Sequence, residues 1–444
     1  MPGETFLRTT YCCRSARQKV WRAVGVLLWM FAMCIAPTAT SWGQQETSVQ
    51  DLRAEIARLR ERVAELESLK AQLDRLEQQL QQLQKAQETR LPAVTAAHRE
   101  TKIAVDGRFF VGVFGTQPDG CFPNRTLDIP DSKVRFTFQP SPHVVLVNRF
   151  SASRTGASSM DYLYIDLMDW GGIWRGHTLR IGKHKLDIGQ ETWTDNPVEN
   201  VVITNAVSHI SGLDEGLNLR GPLGAGSHPW TYSIELVNGS QGSAPAPSQW
   251  TWGVKVGGPV ADKVHVSASY MRTGNLVKRD GTLDRPDLNI AEVFDPPAGA
   301  TGWRRSFWEI DLRYGYGKEG VKPVVGSEAD TPWQLALAYG RFRDDAEGAP
   351  DRKGSFGFVE TLLNLTPRVY LALRFSQIAL EDGATAKLGG SPVEVNEYRR
   401  YSLGLGYRLS RLTHFKTEYT LNETRGWATK PDLNQFAVGI GTRF

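Results

Sequence analysis

The chain has 444 residues, enough for two or three ordinary domains or one large barrel. Apolar residues make up 41% and the mean hydropathy is −0.35, which would suit a soluble protein but does not exclude a transmembrane barrel, whose strands show lipid only every second residue. The formal net charge of +4 arises in the first stretch of the chain, so nothing argues for a nucleic-acid-binding surface.

That first stretch has the form of an export signal. Arg8, Arg14, Arg17, Lys19 and Arg22 precede an apolar core from Ala23 to Ala36, too short for a spanning helix. Ser41-Trp42-Gly43 puts small residues at the two positions a signal peptidase reads, so residues 1–43 are expected to be removed after Gly43; an uncleaved anchor is the lesser alternative. Removal takes five of the 52 basic residues and one of the 48 acidic ones, leaving no net charge. Cys12, Cys13 and Cys34 leave with it, and Cys121 alone can form no intrachain disulfide.

Residues 44–90 predict an α-helical coiled coil. Leu52, Ile56, Leu59, Val63 and Leu66 follow 4-3-4-3 spacing, and Leu69, Leu73, Leu76, Leu80 and Leu83 resume it after one extra three-residue step. A single amphipathic helix is the alternative. Residues 91–100, with Pro92 and several small residues, read as a linker.

From Lys102 the period changes to two, which predicts an all-β transmembrane barrel over residues 101–444. Trp308, Ile310, Leu312 and Tyr314 share one face, and Glu309, Asp311 and Arg313 the other. The runs Tyr401–Leu409, Phe415–Leu421 and Trp230–Leu236 repeat the pattern. A soluble sandwich would turn its charged face outward, whereas a barrel turns it into the lumen. The last residues favour the barrel: Phe436, Val438, Ile440 and Phe444 fall on one parity, in the manner of the strand by which outer-membrane barrels are recognised for assembly.

Alternating runs give about sixteen antiparallel strands, starting near residues 102, 131, 143, 160, 178, 215, 229, 250, 263, 306, 333, 354, 368, 398, 412 and 434. Thr366-Pro367-Arg368 and Ser410-Arg411 are tight turns of the periplasmic kind; 187–214, 274–305 and 381–397 are long connectors of the extracellular kind. The connector 317–332 is long for its expected periplasmic side, which leaves a strand assignment there open.

A barrel of this size leaves a water-filled lumen, and its chemistry is selection rather than bond making. Parity assigns to the lumen Arg135, Arg180, Arg220, Lys255, Arg313, Arg374 and Arg408, with Glu235, Glu309, Asp311 and Glu418. Such cations raise local anion concentration, although a mixed lumen of this kind also suits weak selectivity. The third extracellular connector, 187–214, carries Glu191, Asp195, Glu199, His209 and Asp214 and no Lys or Arg. Folded inward it is a constriction loop that sets acidic groups opposite basic wall residues; an ordinary surface loop is the other reading.

The segment Leu179-Arg180-Ile181-Gly182-Lys183-His184-Lys185-Leu186-Asp187-Ile188-Gly189-Gln190-Glu191 resembles one in phosphate-selective (O/P-type) outer-membrane porins that runs Leu-Arg-x-Gly-Gln-x-Lys-x-Pro-x-Gly-x-Glu. Arg180, Gly182, Lys185, Gly189 and Glu191 match; Lys183 stands for Gln and Asp187 for Pro. Asp214-Glu215-Gly216-Leu217-Asn218-Leu219-Arg220-Gly221 sits where that family re-enters a strand. The likeness covers about residues 101–444, and some members with small-acid substrates also carry an N-terminal coiled coil. It implies a sixteen-stranded trimer that passes phosphate, other oxyanions or small organic acids. This sequence shows no dense arginine ladder or lysine cluster, so phosphate specificity does not carry over. Parity turns Lys183 and Lys185 away from the lumen unless Gly182 opens a bulge.

The expected function is therefore passive diffusion of small polar or anionic solutes through an outer-membrane homotrimer, with the coiled coil in the periplasm. Two other readings are a barrel that anchors the coiled coil to peptidoglycan or periplasmic proteins, and a sheath for an electron-transfer conduit. The eight histidines form no Ser/His/Asp constellation, so an enzyme is not expected, nor is any cofactor or metal.

Overall fold

The computed structural model describes most of residues 101–444, together with 56–58 and 60. Residues 1–55, 59, 61–100, 119–121, 123, 153–157, 170–173, 225–228, 240–249, 278–295, 317–331, 385, 388–393 and 427–431 lie outside the described residues. The export signal, the linker and nearly all of the coiled coil fall there; Ile56, Ala57, Arg58 and Arg60 are helical and exposed.

Sixteen antiparallel strands close into one barrel. In chain order they are β1 (Lys102–Thr116), β2 (Thr126–Ser141), β3 (Val144–Ala152), β4 (Ser158–Met168), β5 (Thr178–Lys185), β6 (Leu213–Leu223), β7 (Trp230–Val237), β8 (Thr251–Ala261), β9 (Val264–Arg272), β10 (Gly302–Tyr314), β11 (Trp333–Glu347), β12 (Arg352–Asn364), β13 (Val369–Leu380), β16 (Glu397–Arg408), β17 (Thr413–Arg425) and β18 (Gln435–Arg443). Between β13 and β16, β14 (Ala386–Lys387) and β15 (Glu394–Val395) pair as a separate small ladder. Each barrel strand pairs with its neighbour in sequence, and β1 closes the ring on β18.

Period-two alternation decides which face each residue takes. On β10 the outward Trp308 and Ile310 are exposed, while Glu309, Asp311 and Arg313 are buried inside. Three outward aromatic pairs mark two girdles: Trp308 and Tyr314, Tyr339 and Trp333, Tyr401 and Tyr407. Each pair is separated by six residues along its strand, about 20 Å at the usual rise. Rings from neighbouring strands touch within the girdles, Trp308 on Tyr339 at 5.7 Å and Tyr314 stacked on Trp333 at 4.2 Å. An apolar band bounded in this way matches the lipid-facing belt of a membrane barrel.

Two strands begin earlier than alternation suggests. β2 starts at Thr126 rather than near 131, because Pro130 does not end it: Phe110 faces Asp131 and Gly112 faces Asp128, so Ile129 and Pro130 together oppose Val111 in a bulge. β10 starts at Gly302 rather than near 306. Above the belt the rule of apolar outside reverses, with Trp303 and Arg305 buried inside and Arg304 exposed. Tyr314 lies opposite Leu335 in the β10–β11 register, so the two strands that flank the long connector 317–332 are direct neighbours in the barrel.

Closure rests on the last pair. Gly107 N donates to Phe444 O at 3.0 Å and Phe444 N to Gly107 O at 3.1 Å, and the Phe444 ring covers the space a side chain at Gly107 would fill. Phe444→Ser removes that cover and an outward aromatic without touching the lumen. Its expected effect is a several-fold drop in folded barrel, read by heat-modifiability on gels, with unchanged single-channel conductance in the fraction that folds.

Candidate functional site

The chain between β5 and β6 turns into the barrel. Leu186 and Ile188 pack, with Val207 and Ile210, against the inward Met271, Phe307, Phe342, Phe356 and Ile378. Val201, Val202 and Ala206 pack on Tyr316, Ala336, Phe358 and Tyr370; Val198 and Ile203 pack on Phe110, Phe114 and Ala437. Full burial of each large side chain contributes about 1.5–3 kcal/mol. These apolar residues are what the sequence reading missed. A run such as Val201-Val202-Ile203 in a connector without Lys or Arg was the available signal of burial.

Inside the lumen the loop's peptide groups need partners, and the wall supplies them. Glu418 accepts from Ile203 N and Thr204 N, each at 2.7 Å, and from Thr204 Oγ1 at 2.6 Å. Lys416 Nζ donates to Pro197 O at 2.8 Å and to Asn200 O. Arg374 donates to Thr204 O at 2.7 Å and to Asn200 Oδ1, and pairs with Glu360. Lys255 Nζ reaches Gly189 O at 2.7 Å and Asp187 at 2.8 Å. Ser376 Oγ accepts from Val207 N, and Glu235 accepts from Asp187 N while its other oxygen meets His184 Nε2 at 2.9 Å.

The eleven wall residues singled out by parity all have inward parity, but in different surroundings. Lys255, Arg374, Glu235, Asp311 and Glu418 brace the loop, Asp311 by accepting from Gln190 N at 3.4 Å. Glu309 lies under Gly189, whose φ of +63° and missing side chain leave room for the carboxylate. Arg313 is buried beside Asp311 at 3.8 Å, over the rings of Tyr316 and Phe358. Arg180 grips Asp166 through two bonds of 2.7 and 2.8 Å and lies over Tyr164 at 3.7 Å, and Arg220 shares Asp166 at 3.2 Å. Arg135 is half exposed and paired with Asp106, and Arg408 bonds Asn364 beside the β12–β13 turn.

The loop acids divide as well. Asp195 holds Lys185 at 2.5 Å and lies 3.8 Å from His209; Glu199 lies 3.4 Å from Arg108 and 3.5 Å from Arg443. Glu191 faces the other way, toward Arg374, Arg313 and Glu360. Asp214 does not belong to the loop. β6 begins at Leu213, and Asp214 is a fully buried strand residue that accepts the backbone N–H groups of Glu215, at 2.7 Å, and Gly239. The connector is thus 186–212, shorter at its far end than alternation implied, because the β5–β6 register runs up to Lys185 opposite Leu213. Lys185 also departs from its parity assignment. No register shift occurs at Gly182, yet Lys185 ends its strand and its ammonium turns back to Asp195.

A cavity of about 410 Å³ remains between the loop and the wall formed by β1, β2, β3 and β5. Its charged lining is Arg108, Lys133, Arg149 and Lys185 against Asp131 and Asp195, so positive charge predominates. Arg108 holds Asp131 at 2.5 Å; Lys133 and Arg149 share Asp161 at 2.6 and 3.1 Å; the Arg149 guanidinium lies 3.5 Å over the Tyr162 ring. Arg108, Lys133, Arg149 and Lys185 were not among the expected lumen residues, although the parity of Arg108 with Phe110, and of Lys133 with Asp131, puts both inside. What the arrangement can do is hold or pass a small anion. Among the described residues no cluster of acidic, His or Cys side chains is arranged to hold a metal.

No protein-family model and no curated protein sequence matches the chain. Solved structures do. A loop-deletion mutant of OmpT, an outer membrane protein of Vibrio cholerae, aligns over 78% of this chain and 99% of its own with 11% identity and a TM-score of 0.51. An anion-selective porin from Comamonas acidovorans aligns over 78% and 100%, with 10% identity and a TM-score of 0.50. The outer membrane channel DcaP of Acinetobacter baumannii aligns over 78% and 98%, with 9% identity and a TM-score of 0.50. At these identities the likeness shows a shared fold, the sixteen-stranded barrel.

Burial raises Glu191 to about 7, and Glu360 adds to the rise while Arg374 and Arg313 oppose it. Asp195 is buried too, but Lys185 and His209 hold it down at about 2, and burial lowers His209 to about 4. A carboxylate raised from 4.5 favours the packed loop in its protonated form. Its contribution is fully present below pH 4.5 and is lost as pH rises through 7, by about 3 kcal/mol in all. His209 works oppositely between pH 6.5 and 4, so the comparison must isolate Glu191. Protease cleavage of the loop should therefore increase with pH in the wild type relative to Glu191→Gln, with the gap opening between pH 4.5 and 7; a gap independent of pH would refute the assignment.

Proposed function

We propose that the protein is an outer-membrane channel for passive diffusion of small anionic and polar solutes, oxyanions and small organic acids among them. The observation that supports this best is the charge of the cavity wall, where four cations and two carboxylates line the space that the loop leaves open. An anion entering from water exchanges its hydration for guanidinium and ammonium groups already fixed in place. Cations meet the same groups as a barrier. Asp161 shared between Lys133 and Arg149 leaves one net positive charge at that step of the wall. The loop carboxylates Asp195 and Glu199 keep the field transverse, so selectivity is a bias toward anions rather than exclusion of cations. The sequence likeness to the phosphate-selective porins supports the same class of solute, and the anion selectivity named for the Comamonas porin agrees with it.

The oligomer we propose is a homotrimer, in which the leucine seam of 49–89 finds partners that an isolated helix of that length needs in water.

Two measurements test these readings. In planar bilayers under a salt gradient, the wild type is expected to favour chloride over potassium. Lys133→Gln with Arg149→Gln should lower the anion-to-cation permeability ratio several-fold, because Asp161 is then left unneutralised; an unchanged reversal potential would contradict the channel assignment of this wall. For the oligomer, Leu59→Lys with Leu76→Lys should lower the temperature at which trimers dissociate without changing single-channel conductance. A monomeric mass for the unmodified protein in detergent would defeat it.

A further inference from the structure

One group of cations lies on the outer face of the barrel, where the lumen cannot use it. In the strand register Arg272 of β9 faces Ser306 of β10, Ser306 faces Arg343 of β11, and Arg343 faces Lys353 of β12. Partners in register share a face, and their chain neighbours Met271, Phe307, Phe342 and Arg352 are buried inside, so this row points outward. Arg304 stands one outward position further along β10. At the usual strand spacing the row spans about 15 Å.

Its charge is unbalanced. Arg343 holds both nearby carboxylates, Asp345 at 2.5 Å and Asp351 at 2.8 Å. Arg304 faces Asp345 in register, yet that carboxylate is turned to Arg343. Arg272, Arg304 and Lys353 are exposed and pair with no carboxylate among the described residues.

The surroundings are ordered by polarity. The next outward row toward the belt holds Val254, Tyr270, Trp308 and Arg341, the last paired with Glu381. Trp252, opposite Arg272, packs on Tyr270 at 5.2 Å, and Tyr339 packs on Trp308. Beyond that row comes the exposed Ile310. Cations, then rings, then aliphatic surface is the order of an anionic amphiphile: charged head, backbone, acyl chain. On the opposite arc, outward positions toward the same rim are Val113, Leu127 and Met160, so the patch is not a property of the whole rim.

We propose that Arg272, Arg304, Ser306 and Lys353 bind the phosphate headgroup of a lipid in the surrounding leaflet. Guanidinium groups meet phosphate oxygens in pairs, the Ser306 hydroxyl donates between them, and the acyl chains lie on Tyr270, Trp308 and Ile310. The patch is flat and continuous with apolar surface, so a headgroup carried by a lipid gains contacts that free phosphate lacks.

The full chain in neutral detergent is titrated with dioleoyl phosphatidic acid, dioleoyl phosphatidylcholine and inorganic phosphate, with bound lipid counted by native mass spectrometry. Phosphatidic acid should bind roughly tenfold more tightly than phosphatidylcholine, and Arg272→Gln with Arg304→Gln should abolish the difference. The double variant should keep heat-modifiability and wild-type ion selectivity. If it does not fold, Lys353→Gln at the exposed edge of the row serves instead and should lose part of the preference. Equal binding of the two lipids, or a preference that survives both substitutions, overturns the proposal. Displacement of phosphatidic acid by an equal concentration of inorganic phosphate overturns the lipid assignment.

Discussion

A segment of irregular chain inside a barrel must find a partner for every buried N–H and C=O it carries, and those it does not satisfy within itself fall to the inward faces of the strands. The loop 186–212 meets that demand with ionised side chains. Glu418 takes two adjacent N–H groups and a hydroxyl; Lys416, Arg374 and Lys255 take the carbonyls of Pro197, Thr204 and Gly189. Charge-assisted bonds of this kind are stronger than neutral ones, and truncating either partner leaves a buried charge unpaired. The position of the loop is therefore fixed from the wall side as much as by its own apolar contacts.

This requirement divides the lumen. On the arc from β8 to β17, Lys255, Arg374, Lys416 and Glu418 spend their charges on the loop, while Arg305 and Arg352 are tied to Asp344. Across the lumen, β1 to β5 carry Arg108, Lys133, Arg149 and Arg180, whose partners are other wall acids and, for Arg108, also Glu199 at the loop's edge. The space stays open on that side. The cavity bordered by these cations thus lies on the side where the loop is not tied to the wall.

How much of this was legible in the sequence depends on which physical rule governs each part. Strand number and most strand starts follow from period two, since a one-residue error would turn a whole face over. The rule fails where its premise fails: at Pro130, where a bulge absorbs the proline, and at Trp303, which lies beyond the lipid belt and so has no reason to face out. Parity cannot distinguish, among inward charges, a brace from a lining group. That distinction is made by the loop, and Val201 docks against residues such as Tyr316 and Tyr370, more than a hundred positions away in the chain. Lys185 shows the limit most plainly. Its parity is outward, and only the turn of the chain after β5 brings its ammonium to Asp195.

Arginine serves three purposes in this barrel, and position alone assigns them. Arg374, fully inside and bonded to Glu360 and the loop, is a strut. Arg304, on the outer face beyond the girdle, is exposed. Arg149 is the intermediate case: its guanidinium is held at Asp161 by a single carboxylate shared with Lys133 and pressed on Tyr162, and it borders the cavity. A long flexible cation in open water would sample many rotamers and give up entropy to each passing anion. Stacked on an aromatic face and tied at one end, it has already given that entropy up on folding, at the border of the cavity. The stacks of Arg149 on Tyr162 and Arg180 on Tyr164 occupy successive inward positions of β4, so the strand acts as a rigid template for two such cations. Two guanidinium groups are thus fixed on the inner wall by the tyrosines beneath them.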